Sequence, residues 1–417
     1  MPEAAPLTTE CRQRSASAAE ARPGERRGRP EVSRGLIGLT WTVHGRFGEV
    51  EGAWRDLEAR SDATPYQRFD FLSAWFETIG ERMGATPAVV AGRDAEGAVE
   101  ILLPLAVARR FGLRIATCPG GRHANFCLPL VSRNLAGAID ARALTQVLDE
   151  AVVSSGLADV VVLRNLPGRW RGRGNPLLGG RPLPAPDPGF GLVLDGPAEE
   201  VAARILSKSR RKKLRYKMQA LGRLGAFGIA RIEPERDAAR VLSAFLAQKA
   251  ERFREMGQRN PFAEPGAEAF LARLAAARRG RPAALELYAL QLDARVVAVL
   301  GGASDGREFS AMFLSYETEP TVAAFSPGDV LVANVIADLC DRGFHWFDLG
   351  VGEAAYKHRY CPERIETFTR VEGLTLKGRL AALVLMALER LRFAVKTRPR
   401  LLRLALSVQR RTGFGMA

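Results

Sequence analysis

The sequence contains little histidine and little cysteine, the residues that most often hold metal ions or cross-link small folds. Its 417 residues include four histidines and five cysteines, and no cysteine pair has the C-x-x-C spacing. The histidines form no ligand-spaced cluster, so we expect them to be structural or superficial. An odd number of unclustered cysteines is typical of a reducing compartment. The sequence therefore predicts neither a metal site nor a disulfide framework.

Long apolar runs are also missing. The run Leu380–Leu388 would span about 13 Å as a helix, against about 30 Å of hydrocarbon in a bilayer. Residues 1–35 are rich in Ala, Arg, Glu and Pro and lack the apolar core of a signal peptide, so we expect a disordered segment. These absences exclude a spanning helix at Leu380–Leu388 and a secretory signal, and they predict a cytoplasmic protein.

Positive charge is concentrated in two segments. The net charge of the chain is +15, and the segments Lys208–Lys217 and Lys377–Arg411 carry +7 and +9 of it. The rest of the chain is therefore nearly neutral. Local positive patches are typical of surfaces that bind anions, and a solvated basic face without a specific partner is the alternative.

The order of predicted elements repeats between the two halves of the chain. Each half runs strand, helix, helix, hairpin, strand, helix, strand, and corresponding helices begin near residues 48 and 236 and near residues 139 and 329. Both offsets are close to 190 residues, although the residues themselves do not match. We expect two copies of one α/β fold with mixed sheets.

The predicted domains follow from this repeat. A segment dense in Pro, Gly and Arg, 167–191, separates an N-terminal half over 36–166 from a C-terminal half over 192–375. Residues 376–417 are expected to form a basic helical tail with an apolar face. Such a helix is suited to an anionic membrane surface, and packing against the protein's own core is the alternative.

A helix start in the second half is suited to an anion. A strand ends at Tyr316, a loop follows, and the helix start consists of Ser326, Pro327, Gly328 and Asp329. The free N–H groups of a helix N-terminus carry partial positive charge, and glycine allows a ligand close to the backbone. From these residues alone we expect an ordinary helix start with Ser326 as cap and Pro327 at its edge, and a phosphate site is the alternative.

A second cluster follows the strand predicted over His345–Leu349. The strand delivers Asp348 to its C-terminal end, where open α/β sheets bind ligands. Asp348 is a candidate base or a cap, Tyr356 a candidate general acid or a core aromatic, and Lys357 a candidate phosphate ligand or an exposed side chain. The Gly-x-Gly between them lacks the third glycine of a dinucleotide-binding loop, so that function is excluded.

The basic segment Lys208–Lys217 lies within a long predicted helix, about 199–224. Four of its cations are candidate anion ligands: Arg210, Arg211, Lys212 and Lys213. They suit a polyphosphate, RNA or lipid headgroups. The aromatic interleaving of single-strand binding is missing beyond Tyr216, so nucleic acid is the less favoured partner.

In this order the motifs resemble the CelD/BioF-like acetyltransferases, a bacterial branch of the GNAT superfamily related to the Fem-type aminoacyl ligases. The matching pieces are SKSRRKKLR from Ser207, the hairpin LYALQLDARVVAVLGG from Leu287, and then SYE, SPGDVL, FDLGVG and YK. The pattern W-x-x-L at Trp54 and the run PYQRFDFLSAW from Pro65 extend the resemblance to about 36–375.

The resemblance implies two tandem GNAT-like halves that transfer an acyl group, acetyl first of all, from acyl-CoA to an amine or hydroxyl without a metal. It assigns Tyr316 and residues 326–329 to acyl-CoA and Asp348, Tyr356 and Lys357 to the second, catalytic motif. The acceptor attacks the thioester directly, a carboxylate or water takes its proton, and a tyrosine protonates the thiolate. A small molecule or glycan precursor of polysaccharide or envelope synthesis is the implied acceptor.

One departure from the family keeps two alternatives open. The GNAT pyrophosphate loop, (Q/R)-x-x-G-x-(G/A), is not present before the helix at Asp329. Fem-type relatives use aminoacyl-tRNA, so a transferase of that type is the first alternative. The second is a non-catalytic module that binds anionic membrane or nucleic acid. For the enzyme, contact with the inner face of the membrane through the tail is a further expectation.

Overall fold

The computed structural model describes residues 38–233, 236–276 and 281–398. The predicted disordered segment 1–35 and the end of the tail lie outside these residues. The strands are β1 (Thr40–His44), β2 (Ala85–Arg93), β3 (Val99–Arg110), β4 (Leu113–Thr117), β5 (Leu130–Val131), β6 (Val160–Pro167), β7 (Arg169–Trp170), β8 (Arg173–Gly174), β9 (Leu183–Pro184), β10 (Gly189–Val193), β11 (Phe227–Arg231), β12 (Leu285–Leu292), β13 (Arg295–Ser304), β14 (Glu308–Tyr316), β15 (Trp346–Val351), β16 (Glu363–Ile365) and β17 (Thr367–Gly373).

The helices alternate with these strands. They are α1 (Glu51–Arg60), α2 (Phe69–Trp75), α3 (Arg133–Ala136), α4 (Ala141–Ser154), α5 (Ala198–Ile205), α6 (Lys208–Gly222), α7 (Ala238–Glu255), α8 (Ala267–Ala275), α9 (Pro320–Ala323), α10 (Pro327–Asp341), α11 (Ala355–Tyr360) and α12 (Leu376–Thr397).

Two large sheets form the centre of the molecule. One has the strand order β1-β2-β3-β4-β6-β17-β9, with β5 paired to β3, and the other has the order β11-β12-β13-β14-β15-β10-β16. Each contains one parallel pair among antiparallel neighbours, β4 with β6 and β14 with β15. The shared order confirms the prediction of two copies of one mixed α/β fold.

The parallel pair in the second sheet separates early. β14 and β15 pair only over their first three residues, up to the point where Ser310 lies opposite Asp348. Both strands continue beyond this point without pairing to each other, β14 as far as Tyr316. The result is an opening in the sheet, and α10 follows β14 beside it.

Each sheet is completed by a strand from a distant part of the chain. β10, which precedes the second half, pairs with β15. β17, at the end of the second half, pairs with β6 of the first sheet and also with β9. The two halves are therefore interlocked, and the segment 167–191 contributes strands to both sheets. The domain limits at 36–166, 167–191 and 192–375 stay predictions.

The largest buried cluster joins the two halves. Helices α1 and α2 pack together with α7 and α8, and the rings of Phe71 and Phe270 meet edge to face with centroids 5.4 Å apart. On the outer faces, α4 covers the first sheet and α5 and α10 cover the second. α10, which borders the site described below, therefore packs against both the sheet and α5.

Helix α12 packs on the face of the first sheet that is opposite to the face covered by α4. Ala382, Leu385 and Met386 contact a small apolar cluster on β6 and β17. Gly378 allows the close approach, since an added Cβ there would lie 1.7 Å from the carbonyl oxygen of Asp159. None of the helices within the described ranges is long and apolar enough to cross a membrane.

Two sequence predictions are wrong in detail. The helix predicted over 199–224 is broken into α5 and α6, because Leu206 is buried and Ser207 caps α6 by accepting from the N–H of Arg210. The expectation against disulfides fails for Cys118 and Cys127, which are joined across a Cα–Cα distance of 6.2 Å. The chain between them reverses through two glycines with positive φ, at positions 120 and 121, which the cysteine spacing does not reveal.

Candidate functional site

A cleft of about 540 Å³ lies beside the opening between β14 and β15. Its volume is in the range of small-molecule sites, about 300–1,000 Å³. The walls are α6, the end of β14, the first turn of α10 and α11. The lining residues are Leu206, Arg210, Lys213, Leu214, Lys217, Leu314, Tyr316, Ala323, Ser326, Gly328, Asp329, Val332, Tyr356, Arg359 and Tyr360. The structure thus brings together the helix start, the basic helix and Tyr356, which the sequence suggested separately.

Helix α6 turns one face to the cleft. Arg210, Lys213 and Lys217 are three or four residues apart, so they lie on the same side of the helix, and all three line the cleft. Arg211 and Lys212, which the sequence also suggested as anion ligands, do not line it. The basic segment is therefore divided between a face toward the cleft and faces away from it.

The start of α10 has a strained backbone. Ser326 has a φ of 50°, and its side chain makes no capping hydrogen bond, so the predicted serine cap is wrong. Its carbonyl oxygen accepts the first bonds of the helix, from the N–H groups of Asp329 at 3.0 Å and Val330 at 3.2 Å. Pro327 has no N–H and does not line the cleft. A left-handed non-glycine residue is costly and is found most often at functional sites.

Gly328 allows α10 to pack closely against β14. An added Cβ would lie 2.9 Å from Cδ1 of Tyr316 and 3.6 Å from Cδ2 of Leu314. The ring of Tyr316 therefore occupies the space that a side chain at Gly328 would need. The N–H of Gly328 belongs to the first turn of the helix, where no carbonyl of the same helix can accept it.

Asp329 links the cations of the cleft wall. Its Oδ1 accepts from Nη1 of Arg359 at 2.7 Å and from the hydroxyl of Tyr360 at 3.0 Å, and its Oδ2 accepts from Nζ of Lys217 at 3.3 Å. A carboxylate repels a phosphate, so Asp329 positions the cations instead. Burial and the nearby Asp329 charge raise the pKa of Tyr360, which keeps its phenol protonated.

The cleft carries a net positive charge. Among its lining residues, four are cations and Asp329 is the single carboxylate. Two of the cations, Lys217 and Arg359, are paired with Asp329, whereas Arg210 and Lys213 are exposed on α6 and have no ion-pair partner among the described residues. An anionic ligand between α6 and the start of α10 would be attracted by both unpaired cations.

Asp348 lies outside the cleft, at the point where β14 and β15 separate. It is fully buried, and its Oδ1 accepts from Oγ of Ser310 at 2.7 Å and from the N–H of Gly350 at 2.9 Å. Its Oδ2 accepts from Nε1 of Trp346 at 3.2 Å. Burial raises the pKa of Asp348 to about 7, against the effect of these donors. A carboxyl group with this pKa is able to exchange a proton near neutrality.

The first half of the chain reaches this network with two residues that sequence reasoning missed. The hydroxyl of Tyr66 lies 2.9 Å from Oγ of Ser310, and Nδ2 of Asn125 donates to that hydroxyl at 2.5 Å. Burial raises the pKa of Tyr66 well above its usual range. The run PYQRFDFLSAW that carried the resemblance contains Tyr66, so a signal existed, whereas Asn125 lies in an irregular loop without a motif.

Helix α11 separates its two candidate residues. Tyr356 lines the cleft, and burial raises the pKa of its phenol to about 12, so it is protonated at neutral pH. Lys357 is buried away from the cleft, where Nζ donates to the carbonyl oxygens of Val351 at 2.9 Å and Gly350 at 3.3 Å. Burial lowers the pKa of Lys357 to about 8. Its ammonium group therefore fixes the connection between β15 and α11.

A second cavity, of about 730 Å³, lies at the other end of β14. Glu308 begins β14 there, pairs with Arg171, and has its pKa raised to about 8 by burial. From Glu308 to Tyr316 an extended strand covers about 26 Å, so this cavity is separate from the cleft. Sequence reasoning missed it because its walls come from separated segments. Within the described residues no cluster of His, Cys, Asp or Glu is placed to hold a metal.

The corresponding helix start in the first half is covered by the chain itself. α4 is capped by Asp140, whose Oδ1 accepts from the N–H of Ala143 at 2.7 Å. The segment that follows β8 packs over this first turn, with Leu177 buried. An added Cβ at Gly179 would lie 2.2 Å from the carbonyl oxygen of Ala141. The place that corresponds to the cleft is therefore filled.

The second half matches a known protein family. Residues 208–358 match the family described as an acetyltransferase (GNAT) domain. The match begins with α6, contains α10 and ends within α11, so it includes the cleft lining except Leu206, Arg359 and Tyr360. Residues 208–358 are therefore similar to a GNAT acetyltransferase domain.

Solved structures share the fold over most of the chain. FemX is 11% identical, with a TM-score of 0.55 over 82% of this chain and 98% of its own. A conserved protein of unknown function from Bacteroides thetaiotaomicron VPI-5482 is 12% identical, with a TM-score of 0.50 over 76% of this chain and 96% of its own. At these identities the likeness shows the fold alone. No curated protein sequence matches the chain.

The family match over residues 208–358 and the repeated strand order together confirm the expected fold class, an α/β protein with two tandem GNAT-like halves. The CelD/BioF-like branch stays a prediction.

Proposed function

We propose that the protein is a GNAT-type acyltransferase that moves an acyl group, acetyl first of all, from acyl-CoA to an amine or hydroxyl. The observation that carries the proposal is the positive cleft at the start of α10, within the GNAT domain. The pyrophosphate of CoA suits the N–H of Gly328, which no carbonyl of its own helix accepts, and cations that no carboxylate neutralises. Arg210 and Lys213 would bind it from α6, and Gly328 would donate its backbone N–H, since the N–H of Ser326 already donates to the carbonyl oxygen of Ala323.

In the proposed reaction the acceptor attacks the thioester carbonyl beside the opening between β14 and β15. The proton of the acceptor passes to Asp348 or to water, the C–S bond breaks, and Tyr356 protonates the departing thiolate. The pKa of Asp348 near neutrality and the protonated phenol of Tyr356 support these roles. Tyr66 and Ser310 would act as positioning residues for Asp348.

The finer features of the proposal come from the resemblance. They are membership of the bacterial CelD/BioF-like branch and a small-molecule or glycan-precursor acceptor. A place in the cytoplasm at the inner membrane face comes instead from the composition and the basic tail. Membrane contact through the tail 376–417 also has support from the described part of α12, whose outward face is apolar and exposed.

An aminoacyl-tRNA-dependent transferase of the Fem type is the second candidate. It is favoured by the cations of α6 that lie outside the cleft, since Lys208, Lys212 and Arg215 are exposed. Such a row suits an extended polyanion, whose binding weakens steeply with salt.

Calorimetric titration of the full chain with acetyl-CoA, CoA and bulk tRNA, at low and physiological salt, tests the proposal. We expect acetyl-CoA to bind at physiological salt and Lys213→Glu to weaken binding by about tenfold or more, because a charge-assisted contact becomes a repulsion. Lys212→Glu is the matched control on the same helix, and it should change the affinity by less than about threefold.

The failure of acetyl-CoA and CoA to bind would overturn the acyltransferase proposal. Salt-sensitive binding of tRNA in its place would favour the Fem-type candidate. Equal losses of acetyl-CoA affinity in Lys213→Glu and Lys212→Glu would contradict the position of the cleft.

A further inference from the structure

Helix α12 exposes a row of large aliphatic side chains that nothing in the described part of the chain covers. Each is more than half exposed: Leu376, Leu380, Leu383, Val384, Leu388 and Leu391. Their spacing places them on one side of the helix, opposite the side that contacts the first sheet. Single exposed apolar residues are ordinary, whereas a continuous row of this kind marks an interaction surface.

The row is not the core-facing side of a displaced helix. The opposite side of α12 already packs on β6 and β17 through Ala382, with Leu385 and Met386 beside it. Glu389, the acidic residue of this helix, is also on that side, buried and paired with Nη2 of Arg164 at 2.7 Å. The outward side of α12 therefore carries no negative charge.

A further apolar group lies beside the start of α12. The turn between β3 and β4 carries Phe111, which is fully exposed and has a φ of 51°. Nζ of Lys377 in the first turn of α12 donates to the carbonyl oxygen of Gly112 at 3.1 Å. The turn and the beginning of the aliphatic row are thus neighbours, and Phe111 extends the row with an aromatic ring.

Basic side chains border this surface. Arg379 and Arg390 flank the row on α12, and Arg110 precedes Phe111, all three exposed. Among the described residues, these arginines have no carboxylate partner within ion-pair distance. Unpaired cations around an apolar face are complementary to an apolar phase with an anionic boundary.

We propose that α12 and the turn at Phe111 form one surface that lies on an anionic membrane. The aliphatic row and Phe111 enter the boundary of the acyl chains, and the arginines contact headgroup phosphates. A second copy of this chain fits the surface less well, because two-fold pairing through α12 would bring the arginines of both copies together. The inference rests on the membrane contact of the proposed function. It defines the surface that makes this contact and adds the β3–β4 turn to it.

Co-sedimentation of the full chain with vesicles tests this surface without any need for acyl transfer. The vesicles consist of phosphatidylcholine alone or of phosphatidylcholine mixed with phosphatidylglycerol. We expect binding to the mixed vesicles only. The double variant Leu380→Glu/Leu388→Glu should lose at least about tenfold in affinity, since two apolar contacts are replaced by charges. Phe111→Ser should lose about fivefold or more, by the same reasoning for one ring.

Met256→Glu is the matched control, because Met256 is an exposed apolar residue at the end of α7, outside this surface. This variant should bind the mixed vesicles as tightly as the unchanged chain does. Equal binding by the double variant, or no binding by the unchanged chain, would overturn the proposal. So would a dimer that the double variant dissociates without any vesicle binding. Vesicle binding that begins only after deletion of residues 399–417 would overturn it too, because it would mean that this segment, and not a membrane, is the partner of the aliphatic row.

Discussion

At the scale of single residues, the site depends on burial more than on residue type. Asp348 stands in FDLGVG, a motif that the sequence analysis singled out, but the sequence did not reveal that three donors surround its carboxylate. Lys357, singled out in the same way, is fixed to backbone carbonyls. Depth and partners come from the packing of distant segments, so the pattern identified both residues and left their roles open.

The raised pKa of Asp348 predicts a pH-dependent stability. Because the folded pKa of about 7 exceeds the ordinary 3.8, the folded state keeps a proton that the unfolded state loses. The protonated carboxyl group therefore stabilises the folded state at low pH, and this stabilisation is lost as the pH rises from about 4 through 7. Between pH 5 and pH 8, the free energy of unfolding of the unchanged protein should fall by on the order of 2 kcal/mol relative to that of Asp348→Asn.

Urea unfolding of both proteins at several pH values measures this difference. Asp341→Asn, which alters an exposed aspartate on α10, should run parallel to the unchanged protein over the same range. A constant difference between Asp348→Asn and the unchanged protein would contradict a carboxyl group that titrates near neutrality.

At the scale of elements, α10 is where the sequence was most informative. Its start was predicted from SPGDVL, and the described helix begins within two residues of the expectation. The cap role assigned to Ser326 was wrong, because a capping residue usually has an extended backbone, whereas Ser326 is left-handed and its side chain makes no capping hydrogen bond. The break between α5 and α6 was missed because basic residues suit a continuous helix as well as a broken one.

The contact between α10 and β14 predicts an effect of a single methyl group. Gly328→Ala would push against the ring of Tyr316, so we expect a loss of about 1–3 kcal/mol in the free energy of unfolding. Gly52→Ala is the control, because Gly52 lies in helix α1 with open space around its Cα. It should gain about 0.5–1 kcal/mol.

Chemical denaturation of both variants gives the two values. If Gly328→Ala proved as stable as the unchanged protein, the close packing of α10 on Tyr316 would be refuted. Restoration of stability in Gly328→Ala/Tyr316→Ala would identify the tyrosine ring as the cause.

At the scale of the whole molecule, the repeat was predictable and the exchange of strands was not. The order of elements and the common offset predicted two copies of one fold, because both follow from local patterns. β10 and β17 complete the sheets by pairing with strands that are distant in sequence, β17 with a strand of the first half. No local pattern of residues indicates which distant strand will be the partner. For the same reason the sequence did not predict the disulfide or the segment that packs over the start of α4.

The interlocked sheets predict that the two halves unfold together. Removal of β17 would leave β6 without one of its two neighbours in the first sheet, so neither half is complete alone. We therefore expect a single transition in urea, coincident by circular dichroism and by tryptophan fluorescence. Separate transitions, or a stable monomeric fold of residues 38–191 expressed alone, would show that the halves are independent.

The central claim is that one cleft, in the second half, binds acyl-CoA. Hydrogen–deuterium exchange of the full chain with and without saturating acetyl-CoA tests it most directly, because it locates the ligand on the backbone. The account predicts slower exchange at the start of α10, from Gly328 onward, and in α11, with no change at the start of α4. Protection at α4, or none at α10 despite saturation, would contradict it.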